Sequence, residues 1–160
     1  MLKLIALPFL ILSVTAIGQT DTSSARRWKG GTSFQAGAGL SRKLFAEVGV
    51  ANVKFTTAGI HPLQKGSYFA SEVYFGKRIF IAPKVGVFIL GGAGGMGFGA
   101  AALYYTDFSN GRFVVRPDVG FGGGSFRLYY GYNFKFGKSG FAGFAQNIIG
   151  MNYWFNKELW

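Results

Sequence analysis

A two-residue alternation between bulky apolar residues and small or polar residues constrains this chain more than any other feature. It is clearest in the stretch "SFRLYYGYNF", residues 125–134. Every second position there is bulky and apolar: Phe126, Leu128, Tyr130, Tyr132 and Phe134. Successive side chains of a β-strand point to opposite faces. The stretch therefore predicts a strand with one wholly bulky face and one face that carries an arginine and a glycine.

The same alternation recurs along the chain from Thr32 onward, between short segments rich in Gly, Asn, Asp and Ser that are typical of turns. No segment after residue 31 shows a helical period. The pattern predicts eight strands, at about residues 33–41, 43–54, 67–76, 79–90, 96–106, 112–121, 124–134 and 143–155. The sequence therefore predicts an all-β fold.

The charged residues of these strands share one face. When the bulky apolar residues alone set the direction of each strand, six charged side chains fall on the opposite face: Glu47, Glu72, Lys84, Arg116, Asp118 and Arg127. Many mid-strand glycines share that face, together with a few large aromatic residues such as Tyr68 and Tyr129. We interpret the six as a network of ion pairs, because unpaired charges in a water-poor interior are costly.

Two architectures produce this alternation. In a soluble barrel the bulky face points inward, whereas in an outer-membrane barrel it meets lipid and the polar face fills the lumen. Charged residues make up only 14% of the chain, while a water-facing surface is about 25–35% charged. Glycine weakens a solvated strand but makes room in a narrow lumen. We therefore predict an eight-stranded antiparallel up-and-down transmembrane β-barrel, with the five bulky residues of the opening stretch facing lipid.

The first residues resemble an export signal. "MLKLIALPFLILSVTAIGQT" has Lys3, an apolar run and then small residues, which predicts a signal peptide over residues 1–18 that is cleaved on export. Residues 19–31 are polar and are expected to form a flexible lead-in. The barrel domain is expected over residues 32–160. The chain has no cysteine, which excludes disulfides and thiolate metal sites.

Short motifs of the chain resemble known small barrels. "APKVG" at residues 82–86, "YYTDF" at residues 104–108 and "RPDVGFGGGSFRLYYGYNF" are similar to short outer-membrane barrels of the Bacteroidetes, within the OmpA/OmpX type. The resemblance implies a monomer in the bacterial outer membrane, in contact with membrane lipids and inserted by the barrel-insertion machinery. It implies no assigned activity.

The end of the chain departs from the pattern of such barrels, which often finish on an aromatic residue in phase with the lipid-facing side. Trp154 and Trp160 are out of phase with Tyr153 and Phe155. The departure predicts either that the last strand ends earlier or that a β-bulge interrupts it.

The formal net charge is +11, and many of the basic residues lie in or beside the predicted turns. If the N-terminus lies in the periplasm, alternate connections form one rim, which we call the basic rim: Arg42, Lys43, Lys77, Arg78, Arg112, Lys135 and Lys138. Lysine and arginine bind phosphates well, so this rim is expected to face lipopolysaccharide outside the cell. The alternative is that these charges serve only solubility and strand-edge protection.

The sequence contains little that could support chemistry. His61 is the only histidine, and no metal site, cofactor or catalytic residue is predicted. The basic charge is scattered over turns without a recognition helix, so no nucleic-acid partner is expected. We predict a non-enzymatic barrel with a structural or surface-interaction role and no open pore. Three alternatives stay open: a narrow porin-like transport channel, an exported soluble barrel that binds a small apolar ligand, and a lipid-modifying barrel enzyme.

Overall fold

The computed structural model describes residues 28–56, 62–76, 79–91, 95–136 and 145–155. Within these ranges the backbone forms nine β-strands: β1 (Lys29–Leu40), β2 (Leu44–Thr56), β3 (Leu63–Tyr74), β4 (Phe80–Gly91), β5 (Met96–Thr106), β6 (Gly111–Gly123), β7 (Phe126–Tyr132), β8 (Phe134–Lys135) and β9 (Asn147–Phe155). No helix in the same ranges is long and apolar enough to cross a membrane.

The strands close into a barrel. Each strand from β1 to β6 pairs antiparallel with the next one, and β9 pairs with both β7 and β1. The short strand β8 continues β7 in the same register against β6 after a break at Asn133. The break lies beside Pro117 on β6, whose nitrogen has no hydrogen to donate to the ladder. Strands β7 and β8 thus occupy one position, and the predicted eight-stranded antiparallel barrel is confirmed for the described residues.

The residue pairing also fixes the tilt of the strands. A path perpendicular to the strands starts at Lys29 on β1 and returns to β1 at Gly39, a shift of ten residues. With strands about 4.8 Å apart and a rise of about 3.3 Å per residue, that stagger corresponds to a tilt of about 40°. Ten residues of one strand then span about 25 Å along the barrel axis.

Two strands begin earlier than the sequence pattern indicated. Strand β1 begins at Lys29, so residues 29–31 of the expected lead-in belong to the barrel. Strand β3 begins at Leu63, where it pairs with Thr56 of β2, and not near residue 67. The segments "KGG" and "LQKG" do not alternate, so backbone pairing and not side-chain pattern extends these strands. The expected signal peptide, residues 1–18, lies outside the described residues.

The two faces of the wall have opposite chemistry. The bulky apolar residues lie on the outside: on β7, for example, 46% of Tyr130 is exposed, whereas 1% of Arg127 is. The alternation holds around the barrel, so the six charged side chains predicted for the inner face point into the lumen. The buried core of the molecule is therefore the lumen itself, where aromatic residues such as Tyr74 and Phe88 pack among the charges.

Candidate functional site: the lumen charges and the barrel ends

The six charged residues predicted for the inner face all lie in the lumen and are nearly inaccessible to solvent. They come from five strands: Glu47 on β2, Glu72 on β3, Lys84 on β4, Arg116 and Asp118 on β6, and Arg127 on β7. We call the end of the barrel that carries the β1–β2, β3–β4, β5–β6 and β8–β9 connections the basic end. The opposite end, where β1 begins and β9 ends, is the terminal end.

Four of these residues form one network, which we call the Glu72 network. Lys84 Nζ lies 2.6 Å from Glu47 Oε2 and 2.8 Å from Glu72 Oε1. Arg116 donates from both terminal nitrogens to the same carboxylate, with 3.1 Å between Arg116 Nη2 and Glu72 Oε2. Two-point contact between a guanidinium and a carboxylate is the strongest common ion-pair geometry. One carboxylate thus holds two buried cations.

Neutral side chains complete the Glu72 network. Tyr74 donates its hydroxyl proton to Glu72 Oε2 at 2.6 Å. Arg116 donates from Nη2 to the Tyr105 hydroxyl at 2.6 Å and from Nε to Asn133 Oδ1 at 2.8 Å. Desolvated ions are stable in a protein only when additional hydrogen bonds satisfy their remaining atoms. In the Glu72 network that condition is met at each guanidinium nitrogen of Arg116.

The other two charged residues form a separate pair nearer the terminal end. Arg127 donates from Nη2 to Asp118 Oδ1, and its guanidinium carbon lies 4.9 Å from the centroid of the Phe88 ring. Gly99 makes room for the pair, because a Cβ atom at that position would lie 2.7 Å from Arg127 Nη2 and 2.8 Å from the Asp118 carboxylate. The glycines of the inner face are therefore part of the geometry that admits large charged side chains.

Several polar atoms in the terminal half of the lumen have no hydrogen-bond partner among the described residues. They are Gln64 Oε1, Ser125 Oγ, Arg127 Nε and Asn152 Nδ2, all buried. Arg127 and Asn152 face each other on β7 and β9. The terminal half of the lumen is thus less completely hydrogen-bonded than the Glu72 network.

Side chains from opposite walls meet across the lumen. The rings of Trp154 on β9 and Phe88 on β4 stack with centroids 4.9 Å apart, and these strands are four positions apart in the eight-position barrel. Trp154 Nε1 also donates to Gln35 Oε1 at 2.9 Å. Nearer the terminal end, Gln64 Nε2 donates to the Gly124 carbonyl at 2.7 Å. Direct contacts therefore cross the lumen both at Trp154 and nearer the terminal end, at Gln64.

The position of Trp154 also explains the phase departure seen in the sequence. Strand β9 keeps one register against β1 through Phe155, so within the described residues it neither ends early nor bulges. Trp154 is buried because it packs inside the lumen, while Tyr153 and Phe155 lie on the outside. Trp160 lies outside the described residues.

The described part of the basic rim lies at the basic end, as the strand directions require. Arg42 and Lys43 follow β1, Arg112 lies near the start of β6 and Lys135 ends β8. Lys43 Nζ lies 4.7 Å from the centroid of the Phe80 ring at the mouth of the lumen. The other residues of the rim, Lys77, Arg78 and Lys138, lie outside the described residues, and so does His61.

The sequence prediction of the lumen site followed formal charge and therefore left out its neutral polar residues, three of which are deeply buried. They are Gln35, Asn133 and Asn152, and each is at most 3% exposed. Their position in the alternation could have identified them: Gln35 and Asn152 alternate with outward apolar residues on β1 and β9. Asn133 lies between Tyr132 and Phe134, at the break between β7 and β8. The alternation along each strand identified the residues of the inner face, but it could not identify which of these side chains contact each other inside the lumen.

Comparison with known proteins adds no relative: no family model, no curated protein and no solved structure matches the chain. Among the described residues, no group of three or more His, Cys, Asp or Glu side chains could hold a metal ion.

Proposed function

We propose that this protein is a small β-barrel of a bacterial outer membrane, exported by a cleaved signal peptide, with a structural or surface-interaction role and no open pore. The observation that carries the proposal is the apolar outer surface of the barrel. At mid-height it runs around the barrel, with residues such as Phe34, Val48, Phe69, Val85, Phe98, Val119, Tyr130 and Met151 each 44% or more exposed. Soluble monomers rarely expose a contiguous apolar patch larger than about 600 Å².

The height of the apolar surface suits a bilayer. On β4 and the residue that precedes it, the outward apolar residues run from Ile79 to Ile89, which corresponds to about 25 Å along the axis at the tilt given by the pairing. Outer-membrane barrels carry an apolar band of about 25 Å. The match supports a barrel that crosses the membrane and does not lie on it.

Outward aromatic residues gather toward both ends of the band. Those nearer the terminal end are Phe34, Phe98, Phe121, Phe126, Tyr153 and Phe155, and those nearer the basic end are Phe75, Tyr104, Phe113, Tyr132 and Phe134. Neighbours within each group touch, as in Phe34 with Phe155 at 5.8 Å and Tyr132 with Phe134 at 4.8 Å between ring centroids. Phe69 and Tyr130 lie between the groups. Two aromatic girdles at the membrane interfaces are typical of such barrels.

The lumen supports a barrel without an open pore. The Glu72 network and the Trp154–Phe88 stack join opposite walls by direct contact. The same interior is unfavourable for an apolar ligand, because six buried charges and their hydrogen bonds occupy it. Both observations favour a structural or surface-interaction role over a channel or a soluble carrier.

The basic rim supports contact with lipopolysaccharide as part of this role. Arg42, Lys43, Arg112 and Lys135 lie at one end of the barrel, where Asp107 is the only described acid. Asp107 accepts hydrogen bonds from the backbone of Ser109 and Asn110 within its own turn. If the termini lie in the periplasm, the basic rim faces the phosphates of the outer leaflet.

Membrane fractionation tests the proposal. The full chain is expressed in a Gram-negative host, the membranes are washed with carbonate, and heated and unheated samples are compared on a gel. We expect the chain in the washed membranes, with an unheated band that migrates differently from the heated one because the barrel stays folded. Recovery of folded protein in the soluble fraction without detergent contradicts the proposal.

A conductance measurement tests the alternative that the protein is a narrow channel. The purified barrel is inserted into planar bilayers at low and high salt. We expect no discrete conductance steps, because the Glu72 network joins opposite walls. Conductance steps that appear in the wild type and become larger in Glu72→Ala would favour a narrow pore.

A further inference from the structure

One sector of the outer wall is polar where the rest of the circumference is apolar. At the terminal ends of β1, β2 and β3 the outward residues are Thr32, Asn52, Lys54, Lys65 and Ser67. We call them the outer polar sector. They are exposed, and Asn52 Nδ2 donates to Thr32 Oγ1 at 3.4 Å. The sector lies at the edge of the apolar band, at the level of a membrane interface.

The two lysines of this sector face each other directly. Lys54 on β2 and Lys65 on β3 are partners in the antiparallel pairing, and like charges at such positions repel each other. The acids that the structure describes lie elsewhere: Glu47, Glu72 and Asp118 are inside the lumen and Asp107 is at the basic end. No described carboxylate therefore neutralises the two lysines.

A groove of about 370 Å³ joins these groups on the outer wall. Lys54, Lys65, Asn52 and Ser67 line it, and Val87 of β4 forms its apolar side. At the edge of the groove, Lys65 Nζ lies 4.2 Å from the centroid of the Trp28 ring. Tryptophan is enriched at the level of lipid headgroups. The groove thus combines two cations and two neutral hydrogen-bonding side chains with an adjoining apolar surface.

We infer that this groove binds the phosphate of an anionic phospholipid, with the acyl chains lying against the apolar wall beside Val87. Two lysines supply the positive charge, and the Ser67 hydroxyl and the Asn52 amide supply neutral hydrogen-bond donors. The inference rests on the proposed membrane location and deepens it, because it names a lipid class for one sector of the barrel. With the termini in the periplasm, the lipid belongs to the inner leaflet of the outer membrane.

Native mass spectrometry of the full chain in detergent tests the inference. Phosphatidylglycerol is titrated against wild type, Lys54→Gln, Lys65→Gln and the double variant, with phosphatidylcholine as the zwitterionic comparison. Lys29→Gln is the matched control, because Lys29 lies at the same end outside the groove. We expect affinity to fall about 5-fold for either lysine and about 30-fold for the double variant. Lys29→Gln is expected to lower affinity by less than about 2-fold, because Lys29 lies outside the groove and salt screens its charge from the bound phosphate.

The results of this titration distinguish a bound phospholipid from a free anion, and they distinguish failure of this inference from failure of the proposed function. Inorganic phosphate is added as a competitor and is expected to leave phosphatidylglycerol bound, because it lacks acyl chains. Displacement by inorganic phosphate would assign the groove to a free anion and overturn the inference. Equal losses for Lys29→Gln and the groove variants, or equal affinity for phosphatidylcholine, would overturn it too. If the unheated protein migrates as a folded barrel but shows no preference for phosphatidylglycerol, this inference alone is overturned. If the folded chain is soluble without detergent, the proposed function is overturned as well.

Discussion

The inner and outer faces of the barrel wall alternate along the same strands, yet different interactions hold them. Inside, Glu72 holds Lys84, Arg116 and Tyr74 through direct contacts. Outside, Val85 and its partner on β3, Phe69, are both more than half exposed. The inner face therefore depends on specific partners, and the outer face depends on the medium around it. Substitutions on the two faces should respond differently to that medium.

The largest expected effect is on the inner face. Glu72→Ala leaves two buried cations without their shared carboxylate, which should lower the free energy of unfolding by about 3–5 kcal/mol. The loss should be similar in micelles and in bilayers, because the lumen contacts do not involve lipid. Urea unfolding followed by intrinsic fluorescence measures it. The neighbouring outward change Ser71→Ala is the control and should stay within about 0.5 kcal/mol.

The next effect is on the outer face and depends on the bilayer. Val85→Arg places a charge in the middle of the apolar band and should cost about 2–4 kcal/mol in a bilayer. Thr32→Arg, in the outer polar sector, should cost about 0–1 kcal/mol because it lies near the interface. Folding equilibria in liposomes measure both. Equal costs at the two positions would contradict the assignment of Val85 to the middle of a membrane.

The Asp118–Arg127 pair offers a third comparison within the lumen. Arg127→Leu and Asp118→Leu each leave one buried charge, whereas the double change leaves none. We expect the double variant to be about 1–3 kcal/mol more stable than the sum of the single losses predicts. Unfolding of all four proteins in the same lipid measures this coupling. Strict additivity would show that the two residues do not stabilise each other.

The smallest effect concerns a single hydroxyl group. Tyr74→Phe removes the hydrogen bonds to Glu72 and Tyr105 but keeps the ring stacked on Phe80 at 4.5 Å. We expect a loss of about 1 kcal/mol, measured by the same urea titration. Phe80→Leu, which removes the stacked ring, is the companion variant. A loss from Tyr74→Phe as large as that from Glu72→Ala would mean that the hydroxyl, and not the carboxylate, organises the Glu72 network.

The alternation made the two faces of each strand predictable from the sequence, and the turn residues made the number of strands predictable. Side chains point to opposite faces whatever the tertiary structure, so Arg127 could be placed opposite Tyr130 without coordinates. The stagger of ten residues could not be predicted, because alternation is unchanged by a shift of two. That stagger decides which inner residues meet, such as Arg116 with Glu72. The starts of β1 and β3 were missed because glycine and lysine there give no alternating signal.

The central claim is that the outer face of the wall lies in hydrocarbon. The chain has no cysteine, so single cysteines at Val48, Val85, Val119 and Met151 can carry spin labels at four points around the barrel. In liposomes, we predict that the labels collide more often with dissolved oxygen than with a water-soluble nickel chelate at all four positions. Faster collisions with the nickel chelate at these positions would place the outer face in water and contradict the account.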